Sequence, residues 1–551
     1  MSRLPLVLSL VYFLAVYVRS EMYEQPPPNL PLDDPSPDVP DNDDVYEVDG
    51  GIDKRSAIKM DNRRLNLTVG KEYMVAFVRS TTANYVSLFY LPAVHVRRKL
   101  YEKPPPNLPK DDLSPDVPDN DDIYNVDGEI DKRSTGFDYA DALSASVEFF
   151  EAQRSGPVPE NGRVQWRKPD VAQYDKGVNG EDLSGGMYDA GDHIKFNLPM
   201  AWTTTMLAWS YIEFEDAYID AGEDKNTRDL LKWNCDYFIK CHPSPDVFYY
   251  QVGNPSIDHS QWNRPENISS TRPSYRIEDS GADVAGETAA ALAGCAKVFE
   301  HFDTNYASEC EHKAKSLFMF TLNHPGLYPP TIYYKSNGAW DEVAWAAIWL
   351  YWLTGDECYR QEAVSLYDSK KLHGKSYAYG WNDKREGLKL LMGHIHKDID
   401  KDLKKKYWGH FKTYMNGWLP GGTVTYTPKG LACRDAWGSL RWAAYNTLRR
   451  ELIPVHYSFQ PTVDKFEMLV RYNNILRYST KYFSCPVITE RCTNSNSFNY
   501  DGPNHHLLRG AMVGGPNCSD GWKDNRKDYV KNEVACDYNA GFQTLVAGTY
   551  I

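Results

Sequence analysis

From residue 135 onward, apolar residues recur three and four apart. Phe137, Ala140, Leu143, Val147 and Phe150 open the pattern. That spacing puts them on one face of a helix and is incompatible with the two-residue period of a strand. Comparable stretches fall near 199–215, 226–240, 284–300, 306–320, 341–353, 357–367, 401–414, 433–450, 463–477 and 532–548. Strand-like alternation is scarce. The segment 341–353 is apolar nearly all round after its first two residues, so it is expected to be buried on every side. About a dozen helices joined by long Gly-, Pro- and Trp-rich loops predict one large all-α domain over 135–551, with binding and catalysis placed on the loops.

Upstream the texture is the opposite. Residues 23–56 and 101–134 are a duplicated 34-residue segment, identical at 28 positions when aligned without gaps. It is built of Pro, Asp and Asn, with too few aliphatic side chains to offset the entropy of ordering. Residues 21–134 are therefore expected to be a disordered acidic Pro-rich region. Each copy ends in Lys-Arg-Ser, at Lys54-Arg55-Ser56 and Lys132-Arg133-Ser134. Paired basic residues in an exposed linker suit a protease, so a propeptide is one reading and a plain acidic linker the other. Between the copies, Tyr73–Val78 and Tyr85–Val94 are apolar patches suited to a hairpin.

Residues 1–20 carry Arg3 followed by an apolar run from Leu4 to Val18, the length of a secretory signal core and short for a membrane span. A secreted chain without a membrane anchor is the expectation. Net charge is −14, which disfavours nucleic acid as a partner. None of the 10 cysteines lies in a C-x-x-C pair, and Cys235–Cys241 and Cys485–Cys492 are close enough in sequence for local disulfides.

Chemistry enters with two carboxylates on a glycine-rich segment, Leu183-Ser-Gly-Gly-Met-Tyr-Asp-Ala-Gly-Asp-His193. Asp189 and Asp192 can converge on one water, one taking its proton and the other orienting it. A turn or a cation site is the bland alternative. Near the C-terminus, Glu533 lies in Asn532-Glu-Val-Ala-Cys-Asp-Tyr-Asn-Ala-Gly-Phe542. As the first turn of an apolar helix it would be a dipole-stabilised charge. Buried among aromatic rings it would hold its proton and act as an acid. An acid opposite a water-activating carboxylate is the arrangement for glycoside hydrolysis.

Six segments in order carry a resemblance: the two above, Trp262-Asn-Arg-Pro-Glu266, Asp283-Val-Ala-Gly-Glu-Thr-Ala-Ala-Ala-Leu292, Tyr426-Thr-Pro-Lys-Gly-Leu431 and Trp437-Gly-Ser-Leu-Arg441. Together they resemble glycoside hydrolase family 9, the inverting endoglucanases, of the secreted animal type, over about residues 135–551. The resemblance implies an (α/α)6 barrel and an endo-β-1,4-glucanase acting as a monomer on cellulose-type β-1,4-glucan. Asp192 would be the base, Asp189 its partner on the water and Glu533 the acid. His259, Trp262, Tyr333, Trp381, Trp437, Arg441 and His505 would line the glucan cleft. No cofactor is implied for the reaction. Asp341, Glu342 and Asp383 fall where some members hold a structural calcium, the alternative being a capped helix start.

The sequence also departs from the family. Pro503-Asn-His-His-Leu-Leu-Arg509 places Leu507 where the family has a substrate-contacting Arg, and the segment 474–502 does not align. A catalytically weakened glucan-binding member of the same family is the competing function. A precursor releasing acidic repeat peptides is a third.

Overall fold

The computed structural model describes the backbone of strands within 56–91 and residues 138–329, 333–447 and 484–550. It divides into two units, one ending at Asp119 and one beginning at Asn120.

In the first unit, β1 (Ser56–Met60), β2 (Arg63–Val69), β3 (Met74–Ser80) and β4 (Val86–Leu91) form an antiparallel meander in chain order. The expected hairpin is its second half, with Met74 opposite Leu91 and Arg79 opposite Val86. The region expected to be without structure therefore contains a small sheet. The two repeats themselves lie outside the described residues, apart from Ser56 at the start of β1.

The second unit is helical. Its helices are α1 (Tyr139–Gln153), α2 (Asn197–Glu213), α3 (Glu215–Asp220), α4 (Asp224–Cys241), α5 (Pro255–Asp258), α6 (Ala282–Phe299), α7 (Thr304–Asn323), α8 (Trp340–Thr354), α9 (Glu357–Ser369), α10 (Arg385–Ile395), α11 (Lys401–Trp418), α12 (Ser439–Thr447), α13 (Tyr529–Asn532) and α14 (Cys536–Tyr550). Six of them make an inner layer. α2 packs on α6, α6 on α8, α8 on α10, α12 on α14, and α14 back on α2. Tyr414 and Asn446 join the α11 end to α12 by a hydrogen bond. Around this ring, α7 backs α6, α9 backs α8, α11 backs α10 and α1 backs α14. Among the described residues inner and outer helices alternate from α1 to α12, as in an (α/α)6 barrel.

Composition explains which helix goes where. In α6 every residue but Lys297 is buried, helped by a run of Ala and Gly that lets neighbours approach. α8 is buried from Asp341 to Leu350, while its first residue, Trp340, is exposed and its last turn, expected to be enclosed as well, is partly exposed. Trp345 and Trp349 of α8 pack on Trp209 of α2. Each fully buried Trp of this kind resists truncation to Ala by about 3–5 kcal/mol. Four outer helices, α1, α7, α9 and α11, start on an Asp whose carboxylate accepts a backbone N–H of the first turn.

The helix at Arg385–Ile395 has no counterpart among the expected stretches. Its core face carries Glu386 and Lys389, paired at 2.7 Å, so buried charge masks the apolar period. The 463–477 helix lies outside the described residues, and the one expected at 433–450 is shorter, beginning at Ser439 after strand-paired Ala432–Cys433.

The disulfides are Cys235–Cys295, Cys433–Cys518 and Cys485–Cys492. The local pairing of Cys235 with Cys241 does not occur. Both sit on α4, six residues apart, which places them on different faces of the helix. Cys241 is a buried free thiol.

Candidate active site

The loop carrying the two aspartates is shaped from below. Gly185 and Gly186 adopt φ of +92° and +72°, a region that disfavours side chains. A Cβ on Gly186 would lie 2.8 Å from the Tyr237 ring. Buried Lys195 donates to the carbonyl of Gly185 and pairs with Asp175 at 2.8 Å. Arg272 closes the same cluster through both oxygens of Asp175. Gln153, at the end of α1, donates to the carbonyls of Tyr188 and Ala190. The result is a tight loop, as the glycines predict, whose aspartates are fixed on both sides.

The acid segment meets it through the backbone. The N–H of Cys536 donates to the carbonyl of Asp189 at 2.9 Å. Glu533 is not in the first turn of a helix. It follows α13 in extended conformation, and α14 begins three residues later. Its own carbonyl accepts the Gly514 N–H at 2.8 Å. The dipole-stabilised reading therefore fails, because no helix start lies at Glu533.

These segments enclose a cleft of about 590 Å³ lined by Asp189, Asp192, His259, Trp262, Tyr333, Trp381, Trp437, Arg441 and Glu533. Nine of the ten residues expected at the catalytic and glucan-binding positions thus share one cavity. The tenth, His505, does not line it. Its ring stacks on Tyr500 and its Nε2 lies 2.8 Å from the Asn496 carbonyl.

The electrostatics separate the three carboxyls. Burial pushes Glu533 up to about 8, and the Asp192 charge adds to this, while Arg441 opposes it. Asp189 is also driven well above the usual carboxylate range, by burial and then by Asp192. Tyr334 donates a hydrogen bond to its Oδ2. Asp192 sits on the cleft side, with Oδ2 2.9 Å from His259 Nε2. His259 Nδ1 in turn lies 3.1 Å from the Tyr333 hydroxyl. The arrangement offers a proton on one wall and a water-facing carboxylate on the other.

Several lining groups have no signal of their own in the sequence. Tyr334, Phe498, Arg526, Lys527 and Tyr529 all line the cleft. Asp537, behind it, is paired with Arg441 at 3.5 Å and accepts from Tyr445. The doublet Tyr333-Tyr334 and the run Asn532–Phe542 were the only available hints.

The departure near residue 507 also becomes concrete. Leu507 is 48% exposed. Arg509 turns away to Glu148 and Asp141 on α1, so it does not replace an Arg at 507. Positive charge on this side of the cleft comes from Arg526 and Lys527. Arg526 donates to the carbonyls of Ser497, Tyr500 and Gly502 and thereby holds the loop that carries Phe498 against Trp262. Residues 474–483 of the unaligned segment lie outside the described residues.

The glycosyl hydrolase family 9 profile matches residues 139–546. The chain belongs to glycosyl hydrolase family 9. It is 37% identical over 444 residues to Endoglucanase B of Cellulomonas fimi, covering 75% of this chain and 42% of that protein. The chain thus spans less than half the length of that relative. It is 34% identical over 451 residues to Endoglucanase 15 of Arabidopsis thaliana, covering 73% of this chain and 91% of that one. The solved endoglucanase from the termite Nasutitermes takasagoensis superposes with a TM-score of 0.69 at 38% identity, covering 75% of this chain and 99% of the other. Family membership and the barrel agree with the expectation from the six motifs.

Asp341, Glu342 and Asp383 lie near one another at the start of α8 and before α10. Asp341 accepts the Lys384 N–H, Glu342 pairs with Lys384 Nζ at 3.4 Å, and Asp383 pairs with Arg385 at 2.6 Å. Glu287 also faces Lys384, at 3.3 Å. Burial and then Asp341 push Glu342 well above the usual carboxylate range, and burial raises Glu287 too, so bound protons as well as Lys384 and Arg385 offset negative charge here. The all-oxygen donor set is of the kind a hard divalent cation takes, but the three carboxylates do not bring one oxygen each within 4.8 Å of one another.

Proposed function

We propose that the chain is a secreted endo-β-1,4-glucanase that hydrolyses cellulose-type glucans with inversion. The observation that carries this is the placement of Asp189, Asp192 and Glu533 on one aromatic-lined cleft. Glucose rings present apolar faces that suit the flat rings of Trp262, Trp381, Trp437 and Tyr333. A water held by Asp189 and Asp192 attacks the anomeric carbon as Asp192 takes its proton. Glu533, with its raised pKa, gives its proton to the departing glycosidic oxygen. Water needs room between base and acid, which corresponds to a carboxyl separation of about 6.5–9.5 Å and to inversion.

The test is proton NMR of cello-oligosaccharide hydrolysis. The new reducing end should appear first as the α-anomer. A β-anomer as first product overturns Asp192 as base, and no hydrolysis favours the glucan-binding reading.

Within the same reading, residues 1–20 are a signal peptide, 21–134 a propeptide region and 135–551 the catalytic domain, acting as a monomer. Asp341, Glu342 and Asp383, with backbone carbonyls near Asn337 and Gly338, hold a structural calcium. The ion neutralises buried charge and takes no part in the reaction. Chelation should lower Tm by several degrees and added calcium should restore it, while an unchanged Tm on chelation rejects the site.

A further inference from the structure

The base of the proposed reaction also belongs to a second arrangement, at the edge of the cleft, that hydrolysis does not require. Asp192, Asp258 and His259 each offer a ligand atom, and the three atoms lie within 4.8 Å of one another, the only such group among the described residues. His259 Nε2 and Asp192 Oδ2 are 2.9 Å apart. Two donors on a tetrahedral ion with bonds of about 2.0–2.1 Å stand roughly 3.4 Å apart, so a small opening of this pair admits one. Asp258 ends α5 and His259 is the next residue, so the backbone presents both from one turn.

Asp258 is oriented from behind. Its Oδ2 accepts the His193 N–H at 3.3 Å, and its Oδ1 lies 3.4 Å from His193 Nδ1. Such outer support is what fixes the ligands of protein metal sites. On the opposite side, metal at His259 Nε2 leaves the proton on Nδ1, where the Tyr333 hydroxyl oxygen can accept it. The His259 side chain is 36% exposed, so an ion reaches it from solvent. One imidazole with two carboxylates favours zinc and its transition-metal neighbours over calcium or magnesium, which prefer oxygen alone.

We propose that His259, Asp192 and Asp258 form a binding site for a divalent transition metal ion of the zinc class, and that its occupancy switches hydrolysis off. The bound ion takes the Asp192 lone pair that would otherwise accept the proton of the attacking water. The inhibitory half of this rests on Asp192 being the base, whereas the binding half does not.

The experiment measures zinc binding to the full chain by calorimetry, in parallel with turnover of a neutral cello-oligosaccharide. One zinc should bind, and turnover should fall in step with occupancy, with calcium at the same concentration having no such effect. His259→Gln and Asp258→Asn should each weaken binding by at least about 10- to 100-fold, the loss that follows removal of even an outer-shell partner. Zinc binding unchanged in both variants overturns the site, and a zinc-saturated wild type with full turnover overturns the switch. A chain that binds zinc through these residues yet never hydrolyses glucan overturns the activity reading and sustains the metal site.

Discussion

Asp192→Asn is expected to lower kcat by about 100- to 10,000-fold on natural glucans and on aryl cellobiosides alike, the range a general base contributes. The asparagine keeps a carbonyl oxygen at the position facing His259 Nε2, so the wall of the cleft should hold its shape. What disappears is the proton acceptor for water, which both substrate types need. A second effect follows from charge. The Asp192 anion is one cause of the raised Glu533 pKa, so its removal should move the alkaline limb of the residual activity to lower pH. Turnover near the wild-type value, with an unchanged Tm, would reject Asp192 as the base.

Glu533→Gln should separate substrates by leaving group. On cello-oligosaccharides, where the departing oxygen needs a proton, the loss should again reach about 100- to 10,000-fold. On aryl cellobiosides with acidic phenols it should be about tenfold or less, because those leave without much protonation. The pH dependence gives an independent readout. A carboxyl raised to about 8 is protonated, and competent as an acid, below that pH, and activity falls as pH rises through it. Wild-type kcat/KM should therefore show an alkaline limb near 8, and the Gln variant should lack it on activated substrates. Equal losses on both substrate types, with the limb retained, would assign the proton to another group.

The helical shell was legible because the inner helices are almost uniformly apolar and the outer ones amphipathic, and both patterns survive in a single sequence. Where charge is buried the pattern disappears. The pair Glu386–Lys389 hid α10. Asp189 and Asp192 were readable because glycine and short spacing mark a tight loop. Glu533 was readable only through the segment around it, since its own position invited a helix start that the backbone does not make. Tyr334, Asp537 and Arg526 were not legible. Each acts on a partner more than twenty residues away or through a backbone carbonyl, and nothing in local spacing encodes such a contact. His505 shows the converse, as a histidine beside a motif whose ring is spent on Tyr500 and Asn496.

The hydrogen bond from the Cys536 N–H to the Asp189 carbonyl joins segments that are 347 residues apart in sequence. It works like the rivet of a pair of tongs. The gap between the jaws is set where the two arms cross, and flexing of the handles changes it little. Of the described outer helices only α1 reaches the rivet, through Gln153, so changes in the others load the arms. The spacing between the carboxyls is then a local property of a few peptide units, and most of the surrounding chain is free to diverge without retuning it.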